Sequence, residues 1–118
     1  MAALIKPGQW FKREFKRLKR KYRSLPADVA GLVAELHQRP RLGEPLGNNC
    51  YKIRLAITSK ARGKSGGARV ITHVLVAVQP EDPTTVYLLA IYDKSVLATL
   101  SREEIDVLVA ELGETGPE

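Results

Sequence analysis

Cys50-Tyr51-Lys52-Ile53-Arg54-Leu55-Ala56-Ile57-Thr58, then the loop Ser59-Lys60-Ala61-Arg62-Gly63-Lys64-Ser65-Gly66-Gly67, then Ala68-Arg69-Val70-Ile71, is the stretch that decides how this chain reads. Tyr51, Ile53, Leu55 and Ile57 alternate with Lys52, Arg54, Ala56 and Thr58. Period-two alternation marks a half-buried strand and sends Lys52 and Arg54 to one face of it. Arg69 opens a second apolar run that continues to Val78. The pair reads as a hairpin with fixed cations at its base and mobile cations (Lys60, Arg62, Lys64) in a glycine-rich tip. Such a device suits the grip of a polyphosphate.

Working outward, Phe11, Phe15, Leu18 and Tyr22 recur at spacings of four, three and four, the stripe of a helix over about Gln9 to Tyr22. Lys12, Arg13, Lys16, Arg17, Lys19 and Arg20 fill its other faces. Pro26 suits the first turn of a second helix, striped by Val29, Leu32, Val33 and Leu36 and closed by Pro40. The two helices are expected to form an antiparallel pair. Residues 41–49 read as a loop, and 79–83 as a turn whose prolines cannot continue a central strand. Val86 to Tyr92 is a third strand, apolar enough for burial on both faces. Ser101 with Glu104 forms a capping box that starts a last helix, striped by Ile105, Leu108, Val109 and Leu112. Gly113 and Pro117 mark its end, so 1–8 and 113–118 are expected to be frayed tails. Helix, helix, three strands and helix in that order predict an α+β fold, an antiparallel sheet with helices packed on it, within one domain spanning 1–118.

Charge narrows the partner. The net charge is +6, and nine of the nineteen basic residues lie between Lys6 and Arg23, where Glu14 is the only acid. From Ser101 onward the balance reverses, with six acids against Arg102. That asymmetry favours a polyanion on one face and a different contact elsewhere. A single cysteine, Cys50, excludes an intramolecular disulfide, and with only His37 and His73 a metal site has little support. No apolar run reaches 18 residues, so no membrane span is expected, and the N-terminus is too short in its apolar part for a signal peptide. A cytoplasmic protein without metal or cofactor is the simplest expectation.

The helix pair, Tyr51-Lys52-Ile53-Arg54-Leu55, Gly67-Ala68-Arg69-Val70-Ile71 and Ile91-Tyr92-Asp93-Lys94-Ser95 together resemble the RelE/ParE superfamily of toxins. The basic glycine loop before Arg69 is most similar to its HigB branch. The resemblance spans about Trp10 to Leu112. It implies a small twisted antiparallel sheet, with two helices on one side and a concave basic face on the other. It also implies a type II toxin that cleaves mRNA on the ribosome and is restrained by an antitoxin, in the HigB branch a helix-turn-helix HigA-like protein.

RNA cleavage without metal needs a base near the ribose 2′-hydroxyl, cations around the phosphate and an acid for the leaving oxygen. Carried over by position, the resemblance implies Lys52 as general base, since a lysine among other cations loses its proton more readily. It implies Arg54 as stabiliser of transition-state charge, Arg69 as the fork that holds the scissile phosphate, and Lys94 as proton donor. The family's C-terminal stacking tyrosine has no counterpart between Leu97 and Leu112, which leaves Tyr92 as the substitute. His73 shares strand parity with Arg69, with a supporting role expected. The basic helix and loop are expected to grip RNA backbone with strong salt dependence and little sequence preference. Two other functions fit parts of the pattern: a ParE-like gyrase inhibitor, against which the Lys52/Arg54/Arg69/Lys94 set argues, and a non-enzymatic basic nucleic-acid-binding module.

Overall fold

A computed structural model describes residues 2–60, 67–77, 79–97 and 99–115. Five strands, β1 (Leu4–Pro7), β2 (Glu44–Gly47), β3 (Cys50–Leu55), β4 (Ala68–Leu75) and β5 (Thr85–Asp93), form one sheet in the order β1-β5-β4-β3-β2. Three helices accompany them: α1 (Gln9–Lys21), α2 (Leu25–Gln38) and α3 (Arg102–Thr115). The α+β class expected from element order is the one observed.

The alternation at Tyr51–Leu55 sorts the two faces. Ile53 packs with Phe11, Leu18, Leu25, Leu32, Leu36, Val70 and Ile91 in the cluster beneath α1 and α2, and Tyr51 and Leu55 join it. The opposite face holds Cys50, Ile71, Leu89, Ala90 and Tyr92, covered by Ile105, Leu108, Val109 and Leu112 of α3. Burying one such aliphatic side chain contributes ~1.5–3 kcal/mol, so the helical stripes are the main fixing force for both layers. Strand β5 lies between β1 and β4 and is buried from Leu88 to Asp93, as its unbroken apolar run requires. At α3 the capping box is present: the Ser101 amide donates to Glu104 Oε1 at 2.8 Å, and the Glu104 amide donates to Ser101 Oγ at 3.1 Å.

Four expectations need correction. The N-terminal segment is no frayed tail, because Leu4–Pro7 pairs parallel with β5 while the other three pairings are antiparallel. Ala3 is buried, its amide donating to the His37 carbonyl at 3.2 Å and its carbonyl lying 2.6 Å from His37 Nδ1. Residues 41–49 are not all loop. Glu44–Gly47 hairpins onto β3 through Asn48 and Asn49, whose φ angles of 53° and 58° are those of a two-residue turn with both centres left-handed. The first strand stops at Leu55, and Thr58–Lys60 turns into a single 3-10 turn. Gly113 does not end α3, which continues to Thr115.

Gly67 explains the glycine before Arg69. A Cβ there would lie 2.2 Å from the Leu55 carbonyl oxygen, so only glycine lets β4 enter its register against β3.

Candidate active site and nucleic-acid interface

Register places the proposed catalytic cations. Arg54 lies directly opposite Arg69, and Arg69 directly opposite Tyr92; two residues along, Lys52 lies opposite Ile71, itself opposite Ala90. Directly paired residues share a face with Cβ atoms about 5 Å apart, and Lys52 follows Arg54 at about 7 Å along the strand. Lys52, Arg54 and Arg69 therefore converge on the face away from α1 and α2. Like charges directly opposite each other across a ladder are unfavourable unless an anion sits between them. Lys94 follows in the turn after β5, where its amide donates to the Gly67 carbonyl at 3.1 Å.

The four cations differ in freedom. Arg54 and Lys94 are exposed, and neither side chain has a hydrogen-bond or ion-pair partner among the described residues. Lys52 is half-buried, and its Nζ lies 3.9 Å from the Glu44 carboxylate. Arg69 is 5% exposed, with Nη1 donating to the Ala68 carbonyl at 3.2 Å. Lys52 and Arg54 also line a groove of about 630 Å³ along the outer edge of β3, where β2 has ended and α2 stands alongside. Glu35, paired with Arg39, and Glu44 share that groove, so its charge is mixed.

The face opposite α1 and α2 is narrower than the resemblance implies. Helix α3 covers its middle, leaving the cations at the β3 end. Tyr92 cannot serve as an exposed stacking platform: it is 4% exposed, and its hydroxyl has no hydrogen-bond partner among the described residues. Burial pushes its phenol pKa up. The physical reason is position in the sheet, since β5 is central and both its faces are roofed. His73 lies opposite Cys50, with Nδ1 3.5 Å from Sγ, about 13 Å along β4 from Arg69. Burial lowers the His73 pKa and raises that of Cys50, which makes the pair a neutral imidazole and a thiol. His73 thus shares the face of Arg69 but belongs to the packing under α3.

Lys60 is also relocated. Its Nζ donates to Asp93 Oδ1 at 2.9 Å with only 14% of the side chain exposed, and Tyr22 donates to Asp93 Oδ2 at 2.5 Å. Ser95 adds its amide and hydroxyl at 2.9 and 2.7 Å. Burial would raise the Asp93 pKa, but these donors outweigh it and hold the carboxyl well below the usual range. The hydrogen bond to Asp93 in turn raises the Lys60 pKa. On the other side of the turn, Asp28 accepts from the Thr58 hydroxyl at 2.6 Å and the Thr58 amide at 3.0 Å. Two carboxylates thus pin Thr58–Lys60 to the helical side, an arrangement sequence reasoning missed because Asp28 and Asp93 carry no local signal. Arg62 and Lys64 lie outside the described residues.

On α1, Lys12, Arg13, Lys16, Arg17, Lys19 and Arg20 all reach the surface. Arg17 is bound to Glu14 at 2.6 Å, and Lys19 sits 5.8 Å above the Phe15 ring. The rest are available to a polyanion.

No protein-family model matches the sequence. Among solved structures, the chain is similar to the Escherichia coli toxin RelE, solved in the free state as a double arginine-to-alanine mutant. The TM-score is 0.59 at 17% identity, over 95% of this chain and 99% of that one. The two folds superpose over nearly the whole length of both, and the chain has the RelE fold.

Proposed function

We propose that this chain is the toxin of a type II toxin–antitoxin system, of the HigB-like branch, and that it cleaves mRNA on the ribosome. The observation that carries the reading is the Arg54–Arg69 opposition with Lys52 on the same face, set in a RelE fold. In the reaction Lys52 is the general base that takes the proton of the ribose 2′-hydroxyl, whose oxygen bonds to phosphorus. The bond from phosphorus to the 5′-oxygen breaks, and Lys94 protonates the departing oxygen, leaving a cyclic phosphate and a 5′-hydroxyl. Arg54, which is exposed, holds the non-bridging oxygens, where charge builds in the transition state, and Arg69 adds its positive charge from the buried position opposite. Exposed cations of α1, with Arg62 and Lys64 of the loop, anchor ribosomal RNA by its backbone. The protein works in the cytoplasm, and a helix-turn-helix antitoxin restrains it.

The test compares cleavage of a labelled mRNA, free and on programmed ribosomes, by wild type, Arg54→Ala and Arg69→Ala. Cleavage only with ribosomes, reduced about 10²–10³-fold in Arg54→Ala, is the expected result. Arg54 is exposed, so its variant separates chemistry from folding, whereas Arg69→Ala also removes a buried side chain. Intact message with induced DNA damage would point to gyrase as the target.

A further inference from the structure

Glycine weakens a helix interior, because it has no side chain to pack and loses more backbone freedom on folding than alanine does. Gly31 nonetheless sits in the middle of α2. No close contact demands it: a Cβ there would meet no atom within 4 Å among the described residues. The space in front of it is the groove of about 630 Å³ between α2 and the outer edge of β3, a volume ordinary for a ligand pocket. Asp28, Leu32 and Glu35 share that face of α2, and the bare glycine leaves a flat stretch of wall between them.

The opposite wall is a strand edge with free hydrogen-bonding groups. The Val74 amide donates to the Asn49 carbonyl, so alternation along the ladder gives Tyr51, Ile53 and Leu55 the bonds to β4 and turns the amide and carbonyl of Lys52 and Arg54 outward. Pairing with β2 reaches Lys52, opposite Glu44, and stops there. The Arg54 amide and carbonyl therefore face the groove with no backbone partner among the described residues. Asp28, Glu35 and Glu44 balance Arg39, Lys52 and Arg54 around it, so a phosphate gains little there. Leu32, Leu42 and Ile53 supply apolar surface. A flat slot, neutral overall, with one donor and one acceptor side by side, suits a planar heterocycle.

We infer that this groove takes the nucleobase beside the scissile phosphate, turned out of the message strand. The inference rests on the nuclease reading and extends it. Arg54 joins the two places, its side chain at the phosphate and its backbone at the ring. Each of the four nucleobases carries a donor next to an acceptor on its Watson–Crick edge, so the Arg54 carbonyl and amide hold any of them. Holding the ring fixes the sugar, and with it the 2′-hydroxyl, against Lys52. The groove is thus a positioning subsite with weak sequence preference.

The experiment measures single-turnover cleavage on programmed ribosomes, with an abasic nucleotide placed in turn on each side of the cut. Wild type is expected to lose at least about tenfold in rate on one of the two abasic messages, the worth of two hydrogen bonds. Gly31→Leu fills the groove from the α2 wall. It should lose a similar factor on intact message and nothing further on the abasic one, with a Tm no lower than wild type because a better helix former replaces glycine. Gly31→Ala, with a smaller side chain, should fall between the two. A Gly31→Leu variant that cleaves as wild type does, or that is slowed yet keeps its full sensitivity to the abasic site, would overturn the inference. Wild-type cleavage indifferent to both missing nucleobases would overturn it without any variant and leave the nuclease reading standing. No cleavage of intact message by wild type would overturn both.

Discussion

Replacing Lys60 by methionine keeps the apolar stem and removes the charge that faces Asp93. The two groups meet at 2.9 Å with side chains 14% and 2% exposed, so this is an ion pair largely withdrawn from water. Removing one partner of such a pair costs ~3–5 kcal/mol, because the other charge is left behind. Asp93 keeps donors from Tyr22 and Ser95, which places the expected loss at the lower end, ~3 kcal/mol. For a chain of this size that is a fall in Tm of roughly 12 °C. Urea denaturation at pH 7 and a melting series across pH measure it. Asp93 has a folded pKa below its ordinary 3.8, so its contribution is complete above that value and is lost as pH falls below it. Lys60, raised above its ordinary 10.5, contributes fully through neutral pH and loses its part only as pH climbs past that value. In Lys60→Met the folded Asp93 pKa should rise, moving the acid limb of the stability curve to higher pH. A loss under ~1 kcal/mol with the acid limb unmoved would refute the reasoning and return Lys60 to the class of solvated loop cations.

Gly67→Ala should destabilise the fold by about 2 kcal/mol or more, since its Cβ would overlap the Leu55 carbonyl; urea denaturation checks it. Ser101→Ala removes the hydroxyl that caps α3 and should cost ~1 kcal/mol, read as faster amide exchange in α3 before the central strands. Arg13 and Arg20, changed together to alanine, should lower the slope of log affinity for RNA against log salt by about 0.7–0.9 for each phosphate that is no longer neutralised, measured by salt titration.

Much of the core was legible because amphipathic periodicity is a local property. The α1 stripe, the β3 alternation, the two-sided burial of β5 and the Ser101–Glu104 box each follow from residues within one element. The two missing strands are only four residues long, and each contains a proline (Pro7, Pro45), which suits an edge but offers no period to read. Asn48-Asn49 was the one local clue to β2, since asparagine tolerates the left-handed backbone that a two-residue hairpin turn requires.

For the site, the sequence by itself determined that Lys52 and Arg54 share a face, because side chains alternate along any strand. It also determined that cations crowd α1, because composition needs no fold. Only the tertiary structure decided which cations are free. Strand register set Arg54 against Arg69, and α3 roofed Tyr92 and the centre of the face beside them. The chain path brought Asp93 to Lys60 from 33 residues away and turned an expected RNA grip into a structural clamp. Exposure and pairing depend on what distant segments place nearby in space, so they can be read only once the chain has closed on itself.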